Sequence, residues 1–417
     1  MATPTRVRTP STSSHVPRPT VVQRRHGIGF WTVALAFLTS MAFSTVPTPL
    51  YPLYEERDGF STFTVTVVFA VYAVGVMVSL MLAGHVSDWV GRKKILLPAL
   101  GLEFVAALLF LSSPALPVLL VARFVSGLGI GMLSATATAH LAELHAAHRP
   151  GASPQRFETV ATAANIGGLG IGPLVSGFLA QYVTAPLRLP YLVFAVLLVA
   201  VAVALSRTPE TVRELPVRPR YRPQRVSADH GDRAGYVAAA VTAFASFAVF
   251  GLFSSIAAGF VAHSLRHPSH LLAGAISLLV FGGAALAQIL TTRLAPRTKS
   301  TLGLLAQGAG FLTLVAGMHT ADLATFLIGG AVAGIGAGLL FKAAVGAVVA
   351  MAAPARRGEA LAGLFLVAYL GLSGPAVALG LATLRLTATS AMTWFAVAVL
   401  ALLATVGVIN HRSQHGR

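Results

Sequence analysis

Apolar residues in this chain gather into long runs, and short polar clusters separate one run from the next. The pattern predicts twelve helices, at approximately 28–52, 62–84, 95–112, 117–141, 157–182, 188–206, 235–262, 271–292, 301–318, 323–350, 359–384 and 389–409. Each is close to the roughly 20 residues that cross about 30 Å of hydrocarbon at 1.5 Å per residue. The expected fold is therefore all-α and polytopic, with the lipid bilayer as its solvent.

Residues 1–27 are rich in Pro, Ser, Thr and Arg and have no apolar core, which reads as a disordered cytoplasmic tail and not a cleaved signal peptide. The longest internal loop, 207–233, carries seven Arg and follows the sixth helix. It divides the chain into a bundle at 28–206, a linker at 207–233, a second bundle at 234–410 and a short tail at 411–417. The halves repeat each other: GLGIGM at 127–132 is answered by GIGAGLL at 334–340, and the glycine-rich run at 167–177 by YLGLSGPAVALG at 369–380. Twelve transmembrane helices in two pseudo-symmetric six-helix bundles are expected.

Charge refines this picture. The formal net charge is +17, yet only 10% of residues are charged and 55% are hydrophobic. In a soluble protein such a balance suggests nucleic acid; here the cations sit in loops between apolar segments, and no nucleic-acid partner is expected. Of the 30 Lys and Arg, 24 fall on one side of the predicted topology and only Arg57, Arg188, Arg266 and Arg385 on the other. Cationic loops are retained in the cytoplasm, so both termini are predicted cytoplasmic, in the inner (plasma) membrane. The absence of cysteine excludes disulfides and thiolate-held metals. Histidines lie mostly in tails and loops and no metalloprotease or nucleophile-elbow motif occurs, so neither a metal, a cofactor nor an enzyme activity is expected.

The densest charge sits in GHVSDWVGRKKILL at 84–97, between the second and third helices. Its G-x-x-x-D-x-x-G-R-K pattern resembles the signature loop of the major facilitator superfamily of transporters. ARFVSGLGIG at 122–131 is similar to that family's helix-4 motif, GGLGIGPLVSG at 167–177 to the helix-5 motif of its antiporters, and TPET at 208–211 is a further echo. The resemblance, to bacterial drug/proton antiporters in particular, implies a secondary transporter working by rocking of two bundles. It would expel a small hydrophobic or amphipathic compound in exchange for protons and act as a monomer. A sugar or polar-metabolite transporter of the same fold is the alternative.

Each motif has a physical reading. Gly84 and Gly91 allow a tight hairpin. Asp88 is an acceptor suited to the positive N-terminus of a helix; by resemblance that helix is the eleventh, beginning near Gly358. Arg92 is expected to pair with Glu143, completing a conformational latch between bundles. The equivalent loop at 291–303 has Arg293 near the place of the acid, so only one half carries a complete latch. Gly168, Gly170, Gly172, Pro173 and Gly177 in helix 5, and Gly371, Gly374 and Pro375 in helix 11, predict close packing with a bend. Pro47, Pro49 and Pro52 predict a bend at the end of helix 1.

Ionisable groups at membrane depth need a partner or a task. Glu103 and Arg123 are candidates either for a buried ion pair or for proton coupling, with Arg123 tuning the carboxyl. Lys342 either faces a cavity or snorkels to the cytoplasmic surface. Tyr72, Asn165, Gln288, Gln307 and Tyr369 are neutral candidates for a substrate cavity. Helix 1 carries no acid, unlike many proton-coupled exporters of the family.

Overall fold

The computed structural model describes residues 21–84, 86–212, 221–224, 226, 232–353 and 356–415. Among these residues twelve helices have the length and composition to cross a membrane: α1 Gln23–Asp58, α2 Thr62–Ala83, α3 Arg92–Ser112, α4 Leu116–His148, α5 Gln155–Tyr182, α6 Leu189–Ser206, α7 Arg233–Ser255, α8 His270–Leu290, α9 Pro296–Thr320, α10 Leu323–Met351, α11 Arg357–Ala382 and α12 Ala388–Val408. Among the described residues there is no strand. In hydrocarbon a helix satisfies every backbone donor internally, so long apolar runs have no other stable form. Helix starts are marked by side chains that accept orphan amides: Ser61 from Thr64, Asp232 from Gly235, Ser269 from Leu272 and Asp322 from Thr325.

Two boundaries differ from the sequence expectation. Helical backbone begins at Val21 and the last helix runs to His415, each inside a stretch read as tail, while residues 1–20 and 416–417 lie outside the described residues. Much of the 207–233 linker also lies outside them. The end of α1 is bent as its prolines require: regular helix stops at Thr45, a tight turn covers Thr48–Leu50, and helix resumes over Tyr51–Asp58. Proline has no amide to continue the ladder.

The internal repeat governs packing. In α4, methyl groups placed on Gly127 and Gly131 would strike α2, whereas one on Gly129 would strike Ala99 and Glu103 of α3. In α10, Gly334 and Gly338 face α8 in the same way and Gly336 faces Gln307 of α9. The two halves thus use one device, glycines on alternate faces of a central helix, to bring two neighbours to backbone contact. Glu103 and Gln307 occupy equivalent places.

Between halves, α2 packs on α11 and α5 on α8. Gly177 lies against the His270 carbonyl and Gly274 against the Pro173 carbonyl, so the α5–α8 seam is closed at backbone distance. At the end away from the 84–94 hairpin the halves are also joined by polar contacts. Thr48 donates to the Ser254 carbonyl at 3.2 Å, Gln181 accepts from His270 N at 3.0 Å and Ser269 Oγ at 3.3 Å, and Glu55 lies 3.6 Å from His263. At the hairpin end the bundles separate around a central cavity.

Candidate functional site

The cavity holds about 570 Å³, enough for a drug-sized molecule. It runs from Thr48 and Ser254 at the closed end to Asp88, Gln224 and Gly358 at the mouth. Its walls are unlike. The first bundle contributes Ser44, Thr45, Ser134, Thr138, Asn165 and Arg123, polar and cationic groups set among apolar Met41, Phe69, Val76, Phe157 and Leu169. The second contributes a continuous aromatic side: Phe247 stands 4.8 Å from Phe341 and 5.6 Å from Tyr369, Phe341 5.7 Å from Phe365, and Phe250 stacks on Phe281 at 4.9 Å. A compound with one apolar and one polar face meets matching chemistry on both sides.

Arg123 is 2% exposed and positioned by α4. Its Nη1 donates to the Ser44 carbonyl at 2.6 Å and its guanidinium lies 4.4 Å from the Tyr72 ring centroid, a cation–π distance. The ion pair, one of the two readings for Glu103 and Arg123, is not formed: among the described residues no carboxylate lies within 4 Å of Arg123. Glu103 is instead held between α3 and α4, fully buried, accepting from Ser126 Oγ at 3.0 Å. The reason is rotational. Ser126 and Gly129, not Arg123, are on the face of α4 that meets α3, so the two charges point to different neighbours.

Of the neutral candidates, Tyr72, Asn165 and Tyr369 line the cavity. Asn165 sits in a wide π-type turn, Ala163–Gly167, which breaks the regular ladder of α5 eight residues before Pro173. Three candidates lie elsewhere. Gln307 is buried against α7, donating Nε2 to the Ala245 carbonyl at 2.9 Å, and Gln288 is buried in α8. Lys342 reaches away from the cavity to the Gln288 carbonyl and Thr292 Oγ1, where a cation meets the free carbonyls at the C-terminus of α8. The aromatic side of the cavity was not anticipated, because Phe on a transmembrane helix carries no mark of whether it faces lipid or a cavity.

At the mouth, Arg92 is the hub of the hairpin. Its Nη2 lies 2.7 Å from Glu143 Oε1, and Nη1 donates to Asp88 Oδ1 at 2.5 Å and Ser87 Oγ at 2.7 Å. Gly91, at φ 117°, makes the turn that places it. Asp88 therefore serves Arg92 in this conformer and does not reach α11, although Gly358 faces it across the mouth. Gly84 also lines that mouth.

The TPET stretch proves structural. Glu210 accepts the backbone N–H groups of Arg92 and Lys93 at 3.0 Å each, and those of Thr211 and Val212 at 2.9 and 3.2 Å. Burial alone would raise this carboxyl, but the four amides outweigh it and hold it below the ordinary glutamate value. Glu210, not Asp88, is thus the acid at the α3 N-terminus. Lys93 answers it by donating to the Ser206 and Thr208 carbonyls at 2.7 and 2.8 Å, where α6 ends.

Helix-packing candidates divide similarly. Gly168 and Gly172 face α1, Gly170 and Gly177 face α8, and Gly371 lies against the Phe244 carbonyl of α7. Gly374 departs from expectation: it has open space beside it, and Pro375 stays within continuous helix.

The sequence profile of the Major Facilitator Superfamily matches residues 33–315, more than half of the 417. An uncharacterised MFS-type transporter of Mycobacterium tuberculosis (strain ATCC 25618 / H37Rv) is 31% identical over 151 residues, covering 36% of this chain and 25% of the relative. The bacillibactin exporter of Bacillus subtilis (strain 168) is 40% identical over 52 residues, 12% of this chain and 13% of that protein. The chain therefore spans a quarter or less of the length of these relatives. A POT family transporter solved in complex with 5-aminolevulinic acid superposes with a TM-score of 0.74 at 13% identity, covering 96% of this chain and 98% of that one, a likeness of fold alone. On the profile match and its twelve spanning helices, the chain is a multi-pass membrane protein that belongs to the major facilitator superfamily of transporters.

Proposed function

We propose that this protein is a secondary active transporter that expels small amphipathic compounds in exchange for protons by rocking its two bundles. The observation that carries the reading is the single-ended, largely apolar cavity between the halves, with its polar groups and Arg123 gathered on the first-bundle side and aromatic rings along the second. A sugar would find hydrogen-bonding partners along one wall only, which favours an amphipathic cargo over a polar one.

With the cationic hairpins in the cytoplasm of the inner membrane, the conformer described is inward-facing. Closure of the mouth then brings Asp88 toward the N-terminus of α11, and Asp88, Gly84, Gly91, Arg92 and Glu143 form the latch of the outward-facing state. Its release is supported by the present pairing, in which Asp88 is bound to Arg92 within one bundle. Glu103 is the proposed proton carrier. Its carboxyl is buried at membrane depth, and Oε1 has no partner, so the neutral form is suited to this conformer. The protein acts as a monomer, since the cavity is completed by one chain.

The test is flux in proteoliposomes of purified protein under an imposed pH gradient, with a fluorescent amphipathic probe. Saturable transport that accelerates with the gradient, and that in Glu103→Gln persists without gradient dependence, is expected. Flux indifferent to the gradient in the wild type refutes proton coupling, and no saturable flux of any probe refutes the transporter reading.

A further inference from the structure

Arg123 leaves a charge unbalanced. A guanidinium remains cationic in proteins, and this one is 2% exposed at the closed end of the cavity, with no carboxylate in ion-pairing range among the described residues. One nitrogen is bonded to the Ser44 carbonyl, the face is stacked on Tyr72, and Nε has no acceptor. A buried charge of this kind calls for a counter-ion. Glu103, the nearest acid on α3, is turned to Ser126. Asp88, the one acid among the described lining residues, lies at the mouth and is bound to Arg92.

We propose that the cargo supplies the missing charge: the cavity takes an organic monoanion whose carboxylate or sulfonate meets Arg123 while its flat apolar body lies on the aromatic wall. This rests on the transporter reading above and narrows its substrate class. One guanidinium balances one negative charge, so the loaded cavity is neutral and crosses between conformers without carrying a bare ion through the bilayer. A dianion leaves an excess charge there, and a cationic amphiphile adds a second positive charge beside an unpaired one. A small inorganic anion leaves the aromatic wall and most of the 570 Å³ unfilled. Ring stacking from Phe247, Phe341 and Tyr369 favours an aromatic body in particular.

The experiment compares three probes on one ring frame: naphthalene-1-sulfonate, naphthalene-1-sulfonamide and 1-naphthylmethylammonium. Equilibrium binding to the full chain in lipid nanodiscs, followed by probe fluorescence in excess sulfate, gives three dissociation constants. The sulfonate is expected to bind about tenfold more tightly than the neutral sulfonamide, and the ammonium most weakly. Arg123→Gln removes the sulfonate's advantage while sulfonamide affinity stays within about twofold, and Arg123→Lys keeps most of the advantage. Equal binding of sulfonate and sulfonamide by the wild type, or preference for the ammonium, overturns the anion inference and leaves the amphipathic transporter standing, because the sulfonamide reports on the aromatic wall alone. A sulfonate preference that survives intact in Arg123→Gln assigns it to the basic loops and also overturns the inference. Failure of all three probes to bind overturns it as well, and the flux measurement above then decides whether the transporter reading falls with it. The wild-type comparison stands whether or not the Arg123 variants fold.

Discussion

Removal of one side chain, Glu210→Ala, tests whether the segment after α6 is a structural clamp. In the folded chain Oε1 and Oε2 together accept four amides, of which Arg92 N and Lys93 N belong to the exposed start of α3. Hydrogen bonds to a charged group are worth about 1.5–3 kcal/mol each when water cannot replace them, but Glu210 is solvent-exposed and water takes up part of the loss. The net cost expected is about 1–2 kcal/mol, in line with loss of a good helix cap. Trp89 lies in the same hairpin, so thermal unfolding followed by tryptophan fluorescence in a Trp31→Phe, Trp394→Phe background, where Trp89 alone remains, reports on this region directly. Glu210→Gln retains a neutral acceptor and should lose about half as much.

Acidity provides a second reading of the same bond set. The folded-state pKa of Glu210 is depressed below the unfolded value of about 4.3, so its contribution is complete above that value and vanishes as pH falls through the folded-state value. The stability gap between wild type and Glu210→Ala should stay constant from neutral pH to about pH 5 and close on further acidification. A gap that is absent at neutral pH, or that widens in acid, refutes the clamp.

The absence of cysteine makes single-cysteine accessibility clean for conformational tests. Asp88→Asn should favour the present conformer and raise alkylation of a cysteine replacing Leu361 at the mouth, whereas unchanged labelling counts against the latch. Gln181→Ala should act in the opposite sense. It loses two bonds between halves, and about 1 kcal/mol at this exposed site shifts the ratio of the two conformers roughly fivefold toward the closed mouth, which lowers labelling. Gly172→Val drives a side chain into the Ala42 carbonyl of α1 and should cost about 1–3 kcal/mol of thermal stability, against little change for Gly374→Ala, which has open space. Glu103→Gln should fold with a loss under about 1 kcal/mol, because the equivalent place on α9 is already filled by Gln307.

What the sequence made legible was set by length and by backbone contact. Twelve apolar runs could only be spanning helices, and the glycine runs of α4 and α10 recur because helices approach there too closely for a side chain. Side-chain direction was less legible. Glu103 and Arg123 have compatible depths, but depth says nothing about rotation around the helix axis, and here they face different neighbours. Lys342 was open between two fates in the sequence, and contacts with α8 that no linear pattern encodes place it on the free carbonyls of that helix. TPET stood out as a motif, yet its task is set by which helix start lies beside Glu210, a relation of the folded state.

Repetition and its violation divide the work between the halves. Equivalent glycines make the bundles alike in backbone, as two bodies that alternate about a shared cavity need to be. Their side chains then diverge wherever charge is involved: Glu103 opposite Gln307, Asp88 opposite the region of Arg293, and a polar wall with Arg123 opposite a wall of phenylalanines. Buried charge is costly in a bilayer, so duplicating it in both halves would penalise every conformer. An aromatic wall carries no such penalty and offers area without fixed direction, which lets cargo of varied outline settle against it. Concentrating the charged groups that line the cavity in the first half, with Lys342 of the second turned away to α8, therefore gives one charged face that selects and one apolar face that accommodates. An exchange of roles, with Gln307→Glu added to Glu103→Gln, should restore burial of an acid but not gradient dependence of flux, since the acid would then adjoin α7 and the aromatic half instead of Ser126 between α3 and α4. Recovered proton coupling in that double variant would refute the division of labour.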